Sequence, residues 1–123
     1  MMIANNMVGV CEALIFGHKA GVELDKMIEL LKGGGAGSFS LADLGPRMLK
    51  RDFEPGFYVE HFVKDLGIVL EEARRMDLCV PGTAQATQLY QALKAQGGSR
   101  KGTQALIEAL ETLNNTQLKT YKY

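Results

Sequence analysis

Cysteine occurs only twice in the 123 residues, so this is not one of the small scaffolds that disulfides hold together. Cys11 and Cys79 both sit in apolar surroundings, Val-Cys-Glu-Ala-Leu and Leu-Cys-Val-Pro, where a small buried thiol is expected rather than a disulfide. Excess charge is missing too: 14 basic residues balance 14 acidic ones with no block of like charge, which removes the footprint of a nucleic-acid or membrane-surface binder. No stretch approaches the roughly twenty apolar residues that cross a bilayer, and no charged leader precedes an apolar run with a small-residue cleavage site. These absences predict a cytoplasmic chain with no nucleic-acid partner and no membrane partner. Sustained alternation of apolar and polar residues is absent, so no sheet is expected. Neither His18 nor His61 has a second histidine at the helical spacing of four, no metal site is expected, and no Ser-His-Asp or Cys-His arrangement is indicated.

What is present is helical periodicity in a length that holds one domain, residues 1–123. From Met1 to Ala20 the apolar residues Met2, Ile3, Met7, Val8, Val10, Ala13, Leu14 and Ile15 are spread around the whole circumference of a helix. A helix apolar on most faces is buried on most faces, which predicts a long buried N-terminal helix at the centre of the fold. It starts without a capping residue, as a helix cut near its beginning does, and Lys19 and Gly21 close it. Val22 to Lys32 forms a second helix, and Gly33 to Ser38 ends it. The glycine run lacks the strand before it and the Lys-Ser/Thr after it that a phosphate cradle needs, so helix termination and close packing are expected instead. Ser38 or Ser40 is positioned to cap a short helical piece reaching Leu44, and Gly45-Pro46 starts another turn.

Pro55 and Gly56 make 52–56 a loop, and a helix of about five turns follows with Phe62, Leu66, Val69, Leu70, Ala73 and Met76 as its stripe. After Pro81, Thr83 is expected to cap a helix to about Ala95 with Ala86, Leu89, Tyr90 and Leu93 inward. Thr103 opens a last helix with Leu106, Ile107, Leu110 and Leu113 inward, and Asn114 to Tyr123 reads as a frayed tail. The predicted fold class is therefore all-α, a bundle of about five main helices with one or two short ones.

Two polar features interrupt this pattern. Asn5 and Asn6 lie in the most apolar helix, where an amide with unmade hydrogen bonds costs about 1 to 3 kcal/mol, so each needs a partner. An exposed helix end and a ligand contact explain them equally. Lys64 and Asp65 lie beside the apolar stripe just after the Gly-Phe turn, either as a solvated face or pointing at a ligand held above the helix start.

Several segments, taken in order, resemble the C-terminal helical domain of the β-hydroxyacid dehydrogenases. They are Ile3-Ala-Asn-Asn-Met, Glu12-Ala-Leu with Ala20-Gly21, Gly34-Gly-Ala-Gly-Ser38, Asp52-Phe-Glu-Pro-Gly-Phe57, Lys64-Asp-Leu66 and Leu78-Cys-Val-Pro81. That family includes 3-hydroxyisobutyrate dehydrogenase and tartronate semialdehyde reductase. The resemblance implies a fold like the C-terminal domain of 6-phosphogluconate dehydrogenase, serving as a substrate and dimerisation domain. It further implies an N-terminal Rossmann domain that binds NAD or NADP through Gly-x-Gly-x-x-Gly, with hydride transfer to or from a small 3-hydroxy acid in the cleft between the two. Position by position, Asn6 matches the family's substrate-holding asparagine, and Phe57, Lys64 and Asp65 match residues bordering its cofactor cleft. Met2 stands where the family has its catalytic lysine, and the Rossmann domain is not within residues 1–123. The chain alone is accordingly expected to bind no cofactor tightly and to carry no catalytic residue. A homo-oligomer, dimer or tetramer, is expected as well. The alternative is a non-catalytic helical dimerisation and interaction module; a nuclear branch resembling glyoxylate reductase also carries methionine at this place.

Overall fold

In the computed structural model, residues 1–119 are described. They form an all-α fold of six helices, α1 (Met2–Lys19), α2 (Leu24–Leu31), α3 (Gly45–Leu49), α4 (Val59–Arg75), α5 (Pro81–Leu93) and α6 (Leu106–Leu113). A π-helical turn, Ser40–Leu44, runs straight into α3, a second one, Lys94–Gly98, prolongs α5, and a 3-10 turn, Thr103–Ala105, leads into α6. No strand forms among the described residues; Tyr58 and Gly102 make one isolated antiparallel bridge. No helix among them is long and apolar enough to cross a membrane.

α1 packs against α2, the first π-turn, α5 and α6, and its Met7, Val10, Cys11 and Leu14 belong to one core with Tyr90, Leu93, Leu106, Ile107 and Leu110. Gly17 lets α2 come close, since a Cβ there would lie 2.7 Å from the Met27 sulfur and 3.0 Å from a Leu24 methyl. Four helices end in the same device. The residue two past the last helical one takes left-handed angles at Gly21, Arg51, Asp77 and Asn115. The residue after it donates its N–H back to Gly17, Arg47, Ala73 and Glu111 respectively, satisfying carbonyls the helix leaves open. Glycine does this without cost; Asp and Asn tolerate it, and Arg51 is held there by its ion pairs.

Several expectations are corrected. α1 touches the most elements, yet it is not buried all round. Met2 is 87 % exposed, Ile3 62 % and Phe16 76 %. The neighbours of α1 cover one side, and no described element lies over the other. Cys11 is buried, and burial pushes its thiol far up, but Cys79 is exposed in the turn after α4; both are free. Met76 and Leu113 point outward, because each lies at a helix end past the reach of the packing partner. Thr83 is no cap: α5 begins at Pro81, whose missing N–H and fixed φ suit a first helical position, and Thr83 is buried as its third residue. Ser38 does cap, accepting the Leu41 N–H at 3.0 Å. The tail does not fray through its described part. Leu118 is buried and donates its N–H to Glu111 at 2.9 Å; Thr120 to Tyr123, also expected to fray, lie outside the described residues.

Candidate functional site

One broad cleft, about 1000 Å³, opens where the start of α1 meets the first π-turn and the start of α4. α1 contributes Met2, Ile3 and Asn6, the π-turn region Ser38, Phe39, Ser40 and Leu44, and α4 with its leading loop Phe57, Phe62 and Asp65; Thr103 completes the wall. The loop that carries Phe57 is held from several sides. Gly102 donates its N–H to the Phe53 carbonyl at 2.8 Å, and Thr103 donates to the Phe57 carbonyl at 3.1 Å. Gln104, almost wholly buried, donates its side-chain amide to the carbonyls of Asp52 and Glu54 at 3.1 and 3.0 Å. Gly102 leaves room for that amide, which a Cβ would strike. Below the cleft, Tyr90 donates its hydroxyl to the Thr103 carbonyl at 2.9 Å and meets Phe62 edge to face at 5.0 Å. Burial raises the Tyr90 phenol well above its usual range, keeping it a donor.

Charge in the cleft is sparse. Among the described lining residues only Asp65 is charged, and Lys64 sits 3.4 Å from its carboxylate with both side chains half or more exposed. At the base of the loop, Arg47 forks onto Asp52 at 2.8 and 3.1 Å. That hydrogen bond, followed by the one from the Glu54 N–H, holds the Asp52 carboxyl below its ordinary value. No group of three or more His, Cys, Asp or Glu that could hold a metal occurs among the described residues. His61 stands at the rim, edge to face with Phe57 and Tyr58 at 6.3 and 5.4 Å.

Of the residues singled out in the sequence, Met2, Asn6, Phe57 and Asp65 line this one cleft. Lys64 is not among the lining residues and reaches it only as the neighbour of Asp65. The two asparagines part company. Asn5 turns to α5, donating its amide to the Met1 carbonyl at 3.0 Å and to the Thr83 hydroxyl at 3.4 Å, and its side chain lies against Gly82. Asn6 is exposed on the cleft with no partner within the described chain. Sequence reasoning did not single out Phe39, Phe62 or Thr103 as lining residues, and treated Ser40 only as a cap. The spacing of Phe62 marked it as core, which it also is, and nothing local marked Thr103.

The chain matches, over residues 1–110, the family model described as NAD-binding of NADP-dependent 3-hydroxyisobutyrate dehydrogenase. It is 55 % identical over 118 residues to an Arabidopsis thaliana protein named probable 3-hydroxyisobutyrate dehydrogenase-like 1, mitochondrial, covering 96 % of this chain and 35 % of that one. It is 39 % identical over 118 residues to 2-hydroxy-3-oxopropionate reductase of Escherichia coli, covering 96 % of this chain and 40 % of the relative. Its fold matches a Mycobacterium tuberculosis 3-hydroxyisobutyrate dehydrogenase structure with a TM-score of 0.81 at 21 % identity, over 89 % of this chain and 40 % of that one. The chain thus spans little more than a third of the curated relatives it matches.

Proposed function

This chain belongs to the β-hydroxyacid dehydrogenase family, and from that premise we propose that its cleft forms one wall of a nicotinamide and substrate site. The rest of the site, including a Rossmann domain that binds NAD or NADP, belongs to polypeptide outside residues 1–119, and the substrate is a small 3-hydroxy acid. The observation that supports this is the meeting of Asn6, Phe57 and Asp65, drawn from segments far apart in sequence, on one apolar cleft. The residues present fit such a cofactor. Phe39, Phe57 and Phe62 give flat apolar surface for a ring, with Asn6 and Asp65 as sparse polar contacts beside it.

When bound, the nicotinamide supplies the hydride acceptor or donor. Phe57, held by the Thr103 and Gln104 hydrogen bonds, excludes water from the cofactor side. Asn6, with both amide groups unengaged, holds the substrate, and Lys64 with Asp65 borders the cofactor. Met2 has a thioether that neither gives nor takes a proton, so the position of the family's lysine supplies no proton transfer here.

The test is to join the chain behind the remaining portion of the E. coli relative and follow NAD(P) reduction with 3-hydroxy acids, with and without Met2→Lys. Turnover is expected with Met2→Lys and not without it, and in that background Phe57→Ala and Lys64→Ala should each raise the KM for cofactor by about tenfold, the effect of one lost contact. A joined protein that binds no NAD(P) would overturn the proposal.

The exposed Met2, Ile3, Phe16 and Phe39 favour a second reading, a non-catalytic module that self-associates as a dimer or tetramer. Self-association in light scattering, together with a joined protein that binds NAD(P) yet does not turn over even with Met2→Lys, would support it over the first. The cytoplasmic location belongs to the proposal as well; the Arabidopsis relative is named mitochondrial, and recovery of the protein in an organellar fraction would count against it.

A further inference from the structure

Two hydroxyls stand out in the cleft. Ser40 is 4 % exposed and Thr103 is 7 % exposed, so both residues are more than nine-tenths buried, and both line the cleft. Neither side-chain oxygen makes a hydrogen bond within the described chain. Their backbone carbonyls are taken: that of Ser40 accepts the Gly45 N–H in the π-turn, and that of Thr103 accepts the Tyr90 hydroxyl, while the Thr103 N–H donates to Phe57. Since every fully sealed side-chain N or O of the described residues has a partner, these two oxygens retain some open surface. The opening that both residues line is the cleft. A hydroxyl so nearly enclosed loses most of its water, and leaving it unpaired is unfavourable unless something else supplies the bond. The π-turn that carries Ser40 is of a kind frequently met at functional sites.

The surroundings decide what that partner is. No Lys, Arg or His is among the lining residues, and the one formal charge on the wall is the Asp65 carboxylate. An anion brought against Ser40 and Thr103 would lose its hydration without meeting a cation, and would face Asp65. An uncharged group on an apolar body meets neither penalty.

We propose that Ser40 and Thr103 form a hydrogen-bonding subsite for the uncharged polar group, hydroxyl or carboxamide, of a ligand whose body packs on Phe57 and Phe62. This rests on the reading of the cleft as a ligand site and adds which end of the ligand enters here. A substrate hydroxyl and a nicotinamide carboxamide share the chemistry, and the test separates them.

The full chain, isotopically labelled, is titrated by protein-observed NMR with two pairs of probes that differ in charge: nicotinamide against nicotinate, and 1,3-propanediol against 3-hydroxypropionate. The expected result is that the neutral member of at least one pair binds more tightly than its anion and shifts the amides of Leu41 and Leu106, close in sequence to the two hydroxyls. Ser40→Ala and Thr103→Val, which remove a hydroxyl with little change of shape, should each weaken that binding about threefold to tenfold, as loss of one neutral hydrogen bond does. The pair that responds identifies the source. Anions binding as tightly as neutral probes, no binding by any probe, or hydroxyl-free variants that bind as well as the parent would each overturn the subsite. If one variant fails to fold, the other still decides. Failure of the joined enzyme to turn over, with hydroxyl-dependent binding intact, would remove the dehydrogenase reading and leave the subsite standing.

Discussion

The cleft and the junction around Arg51 are built from opposite principles. At the junction every charge has a partner. Arg51 meets Glu111 at 2.6 Å and Glu108 at 3.6 Å, Lys101 meets Glu108 at 2.7 Å, and both cations lie over the Phe53 ring. Glu111 also accepts the Leu118 N–H, tying the segment after α6 to α6 and, through Arg51, to the end of α3. In the cleft, Asn6, Ser40 and Thr103 carry side-chain groups with no partner in the described chain, and apolar residues such as Ile3 and Phe39 stay exposed. A region whose polar groups are all satisfied holds the fold together; one whose groups are open is arranged for something that is not in the chain.

That contrast can be broken by mutation. The largest effect is expected at Glu111. Its side chain is 7 % exposed, and Glu111→Ala leaves the Leu118 N–H without that acceptor and Arg51 with only its longer Glu108 pair and the Phe53 ring. A loss of about 3 kcal/mol is expected, at the low end for a buried pair because Arg51 is partly solvated. Urea denaturation measures it, and a loss under about 0.5 kcal/mol, the range of ordinary surface changes, would dissolve the distinction between the two regions.

Tyr90 sits between them, bracing the Thr103 end of the cleft from within the core. Tyr90→Phe leaves the Thr103 carbonyl without its donor and should cost about 1 to 2 kcal/mol in the same measurement. A neutral result would mean that the 103 segment is held by its bonds to Phe53, Phe57 and the Asp52–Glu54 loop without help from Tyr90.

Next comes pH. The Asp52 carboxyl is held below its ordinary value of 3.8, first by the Arg47 hydrogen bond and then by the Glu54 N–H. Its contribution to stability is therefore complete above that ordinary value and is lost as pH falls through the lowered one. Melting temperature should drop more steeply on acidification below about pH 4 in the parent than in Asp52→Asn. Parallel curves would show that the Arg47 pair contributes nothing to the loop that carries Phe57.

The smallest effect belongs to the cleft itself. Ile3→Ser, at a residue 62 % exposed, should change stability by no more than about 0.5 kcal/mol, because folding of this chain buries little there. A larger loss would mean that α1 is covered on this side in solution, and sedimentation of the same variant would show whether a second copy is the cover.

How far the sequence could be read depended on how local each feature was. The amphipathic stripe Phe62, Leu66 and Ala73 and the Lys19 and Gly21 stop both follow from neighbours within one or two turns, and both stand in the structure. The left-handed stops at Arg51, Asp77 and Asn115 gave no such signal, because glycine is the marker one looks for and none is there. The same holds for the fate of the two asparagines. Only the packing of α5 against α1 turns Asn5 toward Thr83 and leaves Asn6 on the cleft.

Composition and periodicity, then, were enough to determine a helical fold without a sheet among the described residues and a core drawn from the i, i+3, i+4 positions. Those properties arise from how a residue and its near neighbours partition between water and an apolar interior, which needs no knowledge of the distant chain. Which side of α1 stays uncovered, and which hydroxyls are buried yet unpaired, was decided by tertiary packing alone. Whether a polar group is satisfied depends on the atoms that happen to surround it in space, and for Ser40 and Thr103 those atoms come from segments far apart in sequence.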